Sequence, residues 1–108
     1  MEFALIANDG TDKDALARRL AVREAHMKLA QKMRDEGHFI HGGAMLDDNG
    51  QMIGSILVCD FPDRQALDAH LATDPYVTGD VWRNIQIIPF KTAPPFADNI
   101  RKPAGQTL

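Results

Sequence analysis

Residues 38–60, HFIHGGAMLDDNGQMIGSILVCD, decide the fold of this chain. Strand-like apolar runs lie on both sides of the polar stretch 47–50, which ends in an Asn-Gly pair. That pair tolerates the positive φ angles of a tight turn. The pattern therefore predicts two strands, 38–46 and 51–60, that pair as an antiparallel hairpin.

A strand and a long helix are predicted before the hairpin. Residues 2–8 form an apolar run bounded by Asn-Asp-Gly, which is typical of a strand followed by a turn. A helical pattern then extends from residue 14 to about residue 36. Gly37 is well placed to end this helix, because glycine readily adopts the left-handed conformation found after helix C-termini.

A second helix and a last strand are predicted after the hairpin. Pro62 suits the first turn of this helix, because proline lacks the N–H that the helix start leaves unpaired. The helix should end near residue 73, since Pro75 disfavours helical geometry at Asp74. Residues 81–91 complete the pattern as a strand, so the predicted order is β-α-β-β-α-β.

This order predicts an α+β fold with the ferredoxin-like arrangement. We assign residues 1–91 to a single domain and residues 92–108 to an extended C-terminal tail, because the tail contains Pro94-Pro95 and lacks periodicity. Both helices of such a fold cover one face of the sheet and leave the other face open.

The predicted strands are nevertheless apolar on both faces. In the last strand Ile85 and Ile87 point to one side, and Ile88 and Phe90 point to the other. A second copy of the chain is the simplest cover for the open face, so the sequence predicts a homodimer with the sheets face to face.

Composition excludes several classes of protein. The 108 residues carry a formal net charge of −3 and contain no basic block, which argues against nucleic-acid binding. No apolar run approaches the roughly 20 residues that span a membrane. The single cysteine, Cys59, cannot form an intramolecular disulfide. The first residues lack a signal-peptide pattern, so we expect a cytoplasmic protein.

The long helix carries three polar residues within its apolar face. On a helical wheel the apolar face and its margins contain Leu16, Leu20, Val22, Met27, Leu29, Ala30 and Met33. Arg19, Arg23 and His26 fall inside this face at spacings that make them neighbours. Charged groups facing a core need a paired carboxylate, a bound anion or a water-filled cleft. The cluster therefore predicts a site.

Asp74 is the second candidate residue. It follows the second helix, where the helix dipole is unfavourable for an anion, so a carboxylate there is expected to need a cation. His26 or Arg23 could supply it. An Asp–His pair would fix the imidazole tautomer and keep the histidine competent as a base.

The sequence resembles the YCII (YciI-like) family over roughly residues 2–91. The resemblance rests on an ordered set of short motifs: Arg23-x-x-His26, Gly42-Gly43-Ala44-Met45, Gly50 through Gly54-Ser55, Asp74-Pro75-Tyr76, Val81-Trp82 and Ile88-Pro89-Phe90. It implies a dimeric α+β barrel and a site built around His26 and Asp74, with Arg23 and Ser55 in matching motifs. One branch of the family resembles enzymes that eliminate chloride from chlorinated hydroxyquinols, which implies proton-transfer chemistry.

Our leading hypothesis is a cofactor-independent enzyme, dehydrochlorinase-like or isomerase-like, acting on a small anionic or phenolic molecule. His26 would shuttle a proton, and Asp74 would orient it. Arg23, with Arg19 as a second candidate, would bind an anionic or enolate oxygen, and Ser55 would add a hydrogen bond.

Other functions stay open from the sequence. The cleft could belong to a non-catalytic binding module, or the cluster could stabilise a structural dimer. A haem or quinol monooxygenase of the same barrel type is a further alternative, with His26 as axial ligand. We predict no metal site, because His38 and His41 would point to opposite faces of a strand and His70 lies on another element.

Overall fold

The computed structural model describes residues 1–99. Its elements are β1 (Glu2–Asp9), α1 (Ala15–Asp35), β2 (Phe39–Leu46), β3 (Met52–Asp60), α2 (Arg64–Leu71), α3 (Pro75–Thr78), β4 (Trp82–Phe90) and a 3-10 helix (Pro94–Asn99). Every strand and helix predicted from the sequence is present close to its expected bounds.

The four strands form one antiparallel sheet in the order β2-β3-β1-β4. Leu5 in the central strand β1 lies opposite Leu57 of β3 and Ile87 of β4. Strands β2 and β3 pair as the predicted hairpin, with a bulge at Ile40. This topology confirms the ferredoxin-like α+β fold.

The two faces of the sheet differ in burial. Phe3, Leu5 and Ala7 of β1 alternate onto the face that forms the core with the helices, and all three are buried. On the opposite face the side chains of Ile88 and Phe90 remain nearly half exposed. One layer of helices therefore covers one side of the sheet, and the other side is apolar and uncovered in the single chain.

Helix α1 buries a narrower stripe than the wheel predicted. Its buried residues are Ala15, Arg19, His26 and Met33, and successive ones are four or seven positions apart. Leu20 and Met27, which we expected on the apolar face, are 52% and 42% exposed. That part of the prediction is wrong, because the buried stripe is centred on Arg19 and His26.

The stretch after α2 differs from the sequence prediction. Pro62 precedes the helix, and Asp63 caps its start by accepting a hydrogen bond from the backbone N–H of Ala66. Asp74 begins the short helix α3, which the sequence did not predict, and its side chain accepts a hydrogen bond from the Tyr76 N–H. The carboxylate of Asp74 therefore receives a backbone donor, and the unfavourable dipole we expected does not describe its surroundings.

The predicted tail is only partly within the described residues. Residues 94–99 form a 3-10 helix where we expected an extended arm, and residues 100–108 lie outside the described part of the chain. Backbone and side-chain donors of Thr92 bind the Glu2 carboxylate and so connect the end of β4 to the start of β1. No helix within residues 1–99 is long and apolar enough to cross a membrane.

Candidate functional site

A cavity of about 430 Å³ lies between α1 and the sheet formed by β2 and β3. The side chains that line it include those of Arg19, Arg23, His26, Arg34, Ser55, Tyr76 and Trp82. Small residues of β2 line the sheet side of this cavity. Gly42 and Gly43 carry no side chain, and a Cβ at Gly42 would meet the Ile56 carbonyl oxygen at 3.2 Å. The Gly-Gly pair thus forms a wall of the site.

His26 and Asp74 are in direct contact. Nδ1 of His26 lies 2.7 Å from Oδ1 of Asp74, whose side chain is 1% exposed. Burial raises the pKa of the Asp74 carboxyl, but the hydrogen bond with His26 and the adjacent His70 imidazole outweigh this effect and lower the pKa to about 2. Asp74 is therefore an ionised acceptor at neutral pH, and Nδ1 of His26 carries the proton that it donates.

The imidazole of His26 is held by aromatic rings as well. It stacks on Tyr76 with ring centroids 3.8 Å apart and meets the edge of Trp82 at 5.6 Å. Burial raises the pKa of the Tyr76 phenol, which stays neutral at physiological pH. With Nδ1 bound to Asp74, Nε2 makes no hydrogen bond to any described residue. It is also not among the fully buried polar atoms that lack a partner. It is the nitrogen left open toward the cavity.

Arg19 lies deeper and is paired internally. Its Nη1 contacts both carboxylate oxygens of Asp9 at 3.1 Å, and Nη2 donates to Ser55 Oγ at 2.9 Å. The guanidinium also sits 4.6 Å from the centre of the Tyr76 ring. Burial raises the pKa of Asp9 despite the neighbouring guanidinium. The charge of Arg19 is thus compensated within the fold.

Ser55 has a restricted hydrogen-bonding role. Its oxygen accepts from Arg19 Nη2 and, at 3.1 Å, from Trp82 Nε1. A hydroxyl oxygen has two lone pairs, so both are used, and the hydroxyl hydrogen is the group left to donate. A cavity ligand that contacts Ser55 would therefore be met by a donor.

Arg23 differs from Arg19 in exposure and pairing. It is exposed on α1, lines the cavity and forms no ion pair with any residue of the described range 1–99. Of the three polar residues predicted inside the buried face of α1, Arg19 and His26 are buried, whereas Arg23 is exposed, so its predicted burial is wrong. Arg19 has a buried carboxylate, His26 has Asp74, and Arg23 faces an open cleft.

The cavity is cationic although the chain is net acidic. Arg23 and Arg34 line it together with His26, His41 and the paired Arg19, and no aspartate or glutamate among the described residues does. Such a lining favours an anionic ligand. Within residues 1–99, no three histidine, cysteine, aspartate or glutamate side chains gather as a metal-ligand set.

The family model for the YCII-related domain matches residues 1–91. The chain belongs to the YCII-related family. A relative of this YCII chain, Protein YciI of Escherichia coli O6:H1, is 33% identical over 97 residues, covering 84% of this chain and 97% of the relative. An uncharacterized protein of Haemophilus influenzae is 31% identical over the same length and coverage.

Solved structures share the fold of this YCII protein. The 5-chloro-2-hydroxyhydroquinone dehydrochlorinase (TftG) of Burkholderia phenoliruptrix AC1100, in complex with 2,5-dihydroxybenzoquinone, superposes with a TM-score of 0.74 at 18% identity, covering 86% of this chain and 96% of that one. A dimeric ferredoxin-like protein of unknown function from Jannaschia sp. CCS1 gives a TM-score of 0.50 at 18% identity, with 84% and 98% covered.

The sequence did not identify every residue of the YCII site. Asp9, the partner of Arg19, could have been found from strand alternation, because it shares a face with Leu5 and Ala7. The Trp82 contact with Ser55 could not, since it joins strands that are not adjacent in the sheet. His70 was set aside as remote, yet its Nε2 lies 3.3 Å from Oδ2 of Asp74.

Proposed function

We propose that this YCII protein is a cofactor-independent enzyme that uses His26 for general acid–base catalysis on a small anionic or phenolic substrate. The orientation of one imidazole carries the proposal. Its Nδ1 donates to a buried carboxylate, and its Nε2 is open toward a cationic cavity. A neutral histidine fixed in this tautomer is a base with one accessible nitrogen.

Each side chain has a distinct part in the proposed reaction. Nε2 of His26 accepts a proton from an O–H or C–H of the substrate, and the electron pair either stays on a substrate oxygen or expels an anion from the adjacent carbon. Asp74 stabilises the imidazolium that forms. Arg23, one turn away on α1, binds the negative oxygen, and Ser55 donates to it. His26 then returns the proton to the product or to water.

The chemistry of the cavity defines the substrate class. Its arginines and the donor Ser55 complement carboxylates, phenolates and enolates, and the Trp82 and Tyr76 rings complement a planar molecule. The dehydrochlorinase with bound 2,5-dihydroxybenzoquinone shares only the fold, but it indicates which compounds to screen first. Dihydroxyquinones, hydroxyquinols and small aromatic acids form that set.

We further propose that the protein is a cytoplasmic homodimer. The uncovered sheet face with Ile88 and Phe90 is apolar, and a second copy would bury it. A fold relative described as dimeric and ferredoxin-like is consistent with this assembly.

A thermal-shift screen of these compounds tests the function. We expect hits that raise the melting temperature of wild type, lose this effect in His26→Ala, and keep it in His38→Gln, whose histidine bonds the Asp60 carbonyl. Hits are then incubated with wild type and followed by absorbance and mass spectrometry. Turnover that vanishes in His26→Ala and Asp74→Asn supports the enzyme. Full turnover in both variants contradicts it, and stabilisation without any conversion supports a binding module instead.

A further inference from the structure

His70 lies behind the His26–Asp74 contact, on the side away from the cavity. It belongs to the last turn of α2, its side chain is 5% exposed, and it is not among the residues that line the cavity. Its Nε2 lies 3.3 Å from Oδ2 of Asp74. Asp74 therefore sits between two imidazoles, with one carboxylate oxygen toward each.

The two oxygens of Asp74 are used unequally. Oδ1 accepts from His26 Nδ1 at 2.7 Å and from the Tyr76 N–H at 2.9 Å. Oδ2 is fully buried, and His70 Nε2 is the polar group facing it in the described part of the chain. A buried ionised oxygen without a donor is costly, so the protein needs a donor at this position.

The surroundings of His70 leave its Nε2 one acceptor. The ring packs against Phe39 at 5.2 Å and Phe61 at 5.6 Å, and neither ring offers a lone pair. The N–H group at Nε2, which is also fully buried, therefore has only the Asp74 carboxylate to bind among the described residues. The 3.3 Å separation is within reach of a hydrogen bond, but the two atoms are not aligned for one, and a slight rotation of the ring would direct the N–H at Oδ2.

We propose that His70 is a positioning residue: its Nε2–H donates to Oδ2 of Asp74 and holds the carboxylate so that Oδ1 meets Nδ1 of His26. Without that donor the carboxylate rotates about its side-chain torsions to find another partner, and the His26 contact loosens. His26 then leaves the Nδ1–H tautomer, and Nε2 ceases to be the open base. The consequence for turnover rests on the proposed function, but the effect on the tautomer does not.

The test replaces His70 with side chains that differ in one property. The amide nitrogen of His70→Gln reaches the position of Nε2 and can donate there. His70→Asn carries the same amide one methylene shorter, and His70→Leu fills similar space without a donor. Imidazole ¹⁵N NMR of each variant reports the tautomer of His26 directly, with no substrate needed. A matching backbone amide spectrum shows that the variant is folded.

We expect wild type and His70→Gln to hold His26 as Nδ1–H, with a slowly exchanging, downfield Nδ1 proton. In His70→Asn and His70→Leu that signal should be lost and the tautomers mixed. If His70→Leu does not fold, the comparison of His70→Asn with His70→Gln still tests the proposal. An unchanged Nδ1–H signal in His70→Asn or His70→Leu overturns the proposal, and so does its loss in all three variants.

Activity separates this inference from the proposed function. Once a substrate is known, His70→Asn should lower kcat while KM stays near the wild-type value, because Arg23 still binds the anion. His70→Gln should recover kcat. If His26 shows the expected NMR behaviour but the protein turns over no substrate, the role of His70 is supported and the proposed enzymatic function is contradicted.

Discussion

Asp74 is the residue on which the site depends. It is almost completely buried, yet His26 of α1 and the Tyr76 N–H of α3 bind one of its oxygens, and His70 of α2 faces the other at 3.3 Å. These donors make the ionised form the stable one inside the protein. Asp74 therefore links the packing of the helical layer to the tautomer of His26.

Replacing Asp74 with asparagine should damage both properties. An Asn amide gives His26 and His70 only one acceptor oxygen and adds N–H donors, so we expect Asp74→Asn to lose about 1–3 kcal/mol of unfolding free energy and to abolish turnover. Asp63→Asn is the matched control, because Asp63 caps α2 at the surface and asparagine caps equally well. Urea denaturation of the two variants should separate them clearly.

The same carboxylate predicts a specific response to acid. The folded pKa of Asp74, about 2, lies below its ordinary value of 3.8. Its contribution to stability is therefore complete above pH 3.8 and is lost as the pH falls toward 2. The difference corresponds to about 2 kcal/mol. Unfolding free energies of wild type and Asp74→Asn should converge over this window, and a constant gap between them would contradict the assignment.

Arg23 and Lys28 give a test of anion binding on one helix. Both are exposed cations of α1, but Arg23 lines the cavity while Lys28 pairs with Glu24 away from it. We expect Arg23→Ala to weaken binding of a carboxylate or phenolate ligand by about 10- to 100-fold, the worth of a charge-assisted hydrogen bond. Lys28→Ala should leave affinity unchanged, as titration calorimetry would show. Equal losses of affinity in Arg23→Ala and Lys28→Ala would instead indicate a general effect of the positive charge on the helix.

At the scale of elements, Arg19 joins α1 to the sheet. Its ion pair with Asp9 and its bond to Ser55 connect the helix to β1 and β3 inside the core. Truncating Arg19 leaves the Asp9 carboxylate buried without its partner, and breaking buried pairs this way costs about 3–5 kcal/mol. We expect that loss for Arg19→Ala in urea denaturation.

The neighbouring arginine supplies the control for this element. Arg18 pairs with Asp12 near the surface, so Arg18→Ala should cost at most about 1 kcal/mol. If Arg19→Ala is no more destabilising than Arg18→Ala, the guanidinium is not a structural tie between helix and sheet. Arg19 would then be the stronger candidate for direct ligand binding.

The elements also show what the sequence can and cannot predict. Alternation and turn chemistry predicted the strands because each pattern is local, and helical periodicity placed Arg19 and His26 on the inner face. The four residues of α3 have too few turns for any periodicity, so Asp74 was expected at a helix end without its backbone donor. His70 lies four residues before Asp74, so this contact is local, and the spacing of the two residues could have predicted it.

At the scale of the whole molecule, the uncovered sheet face sets the expected assembly. Sheets of this fold are covered by helices on one side, and here the other side carries apolar side chains that are nearly half exposed in the single chain. Burying such a face against its copy removes apolar area from water and gives a closed, symmetric pair. The cavity lies between α1 and the sheet, and the contact of His26 with Asp74 is made within one chain.

A charge placed on this face should therefore separate the subunits. Ile88 is 47% exposed on the open face, and a lysine there would have to lose its hydration in a face-to-face dimer. We expect wild type to sediment as a dimer at micromolar concentration and Ile88→Lys to sediment as a monomer. Leu20→Lys places the same charge on an equally exposed apolar residue of α1 and should stay dimeric. A monomeric wild type, or dissociation of both variants, would show that this face is not the interface.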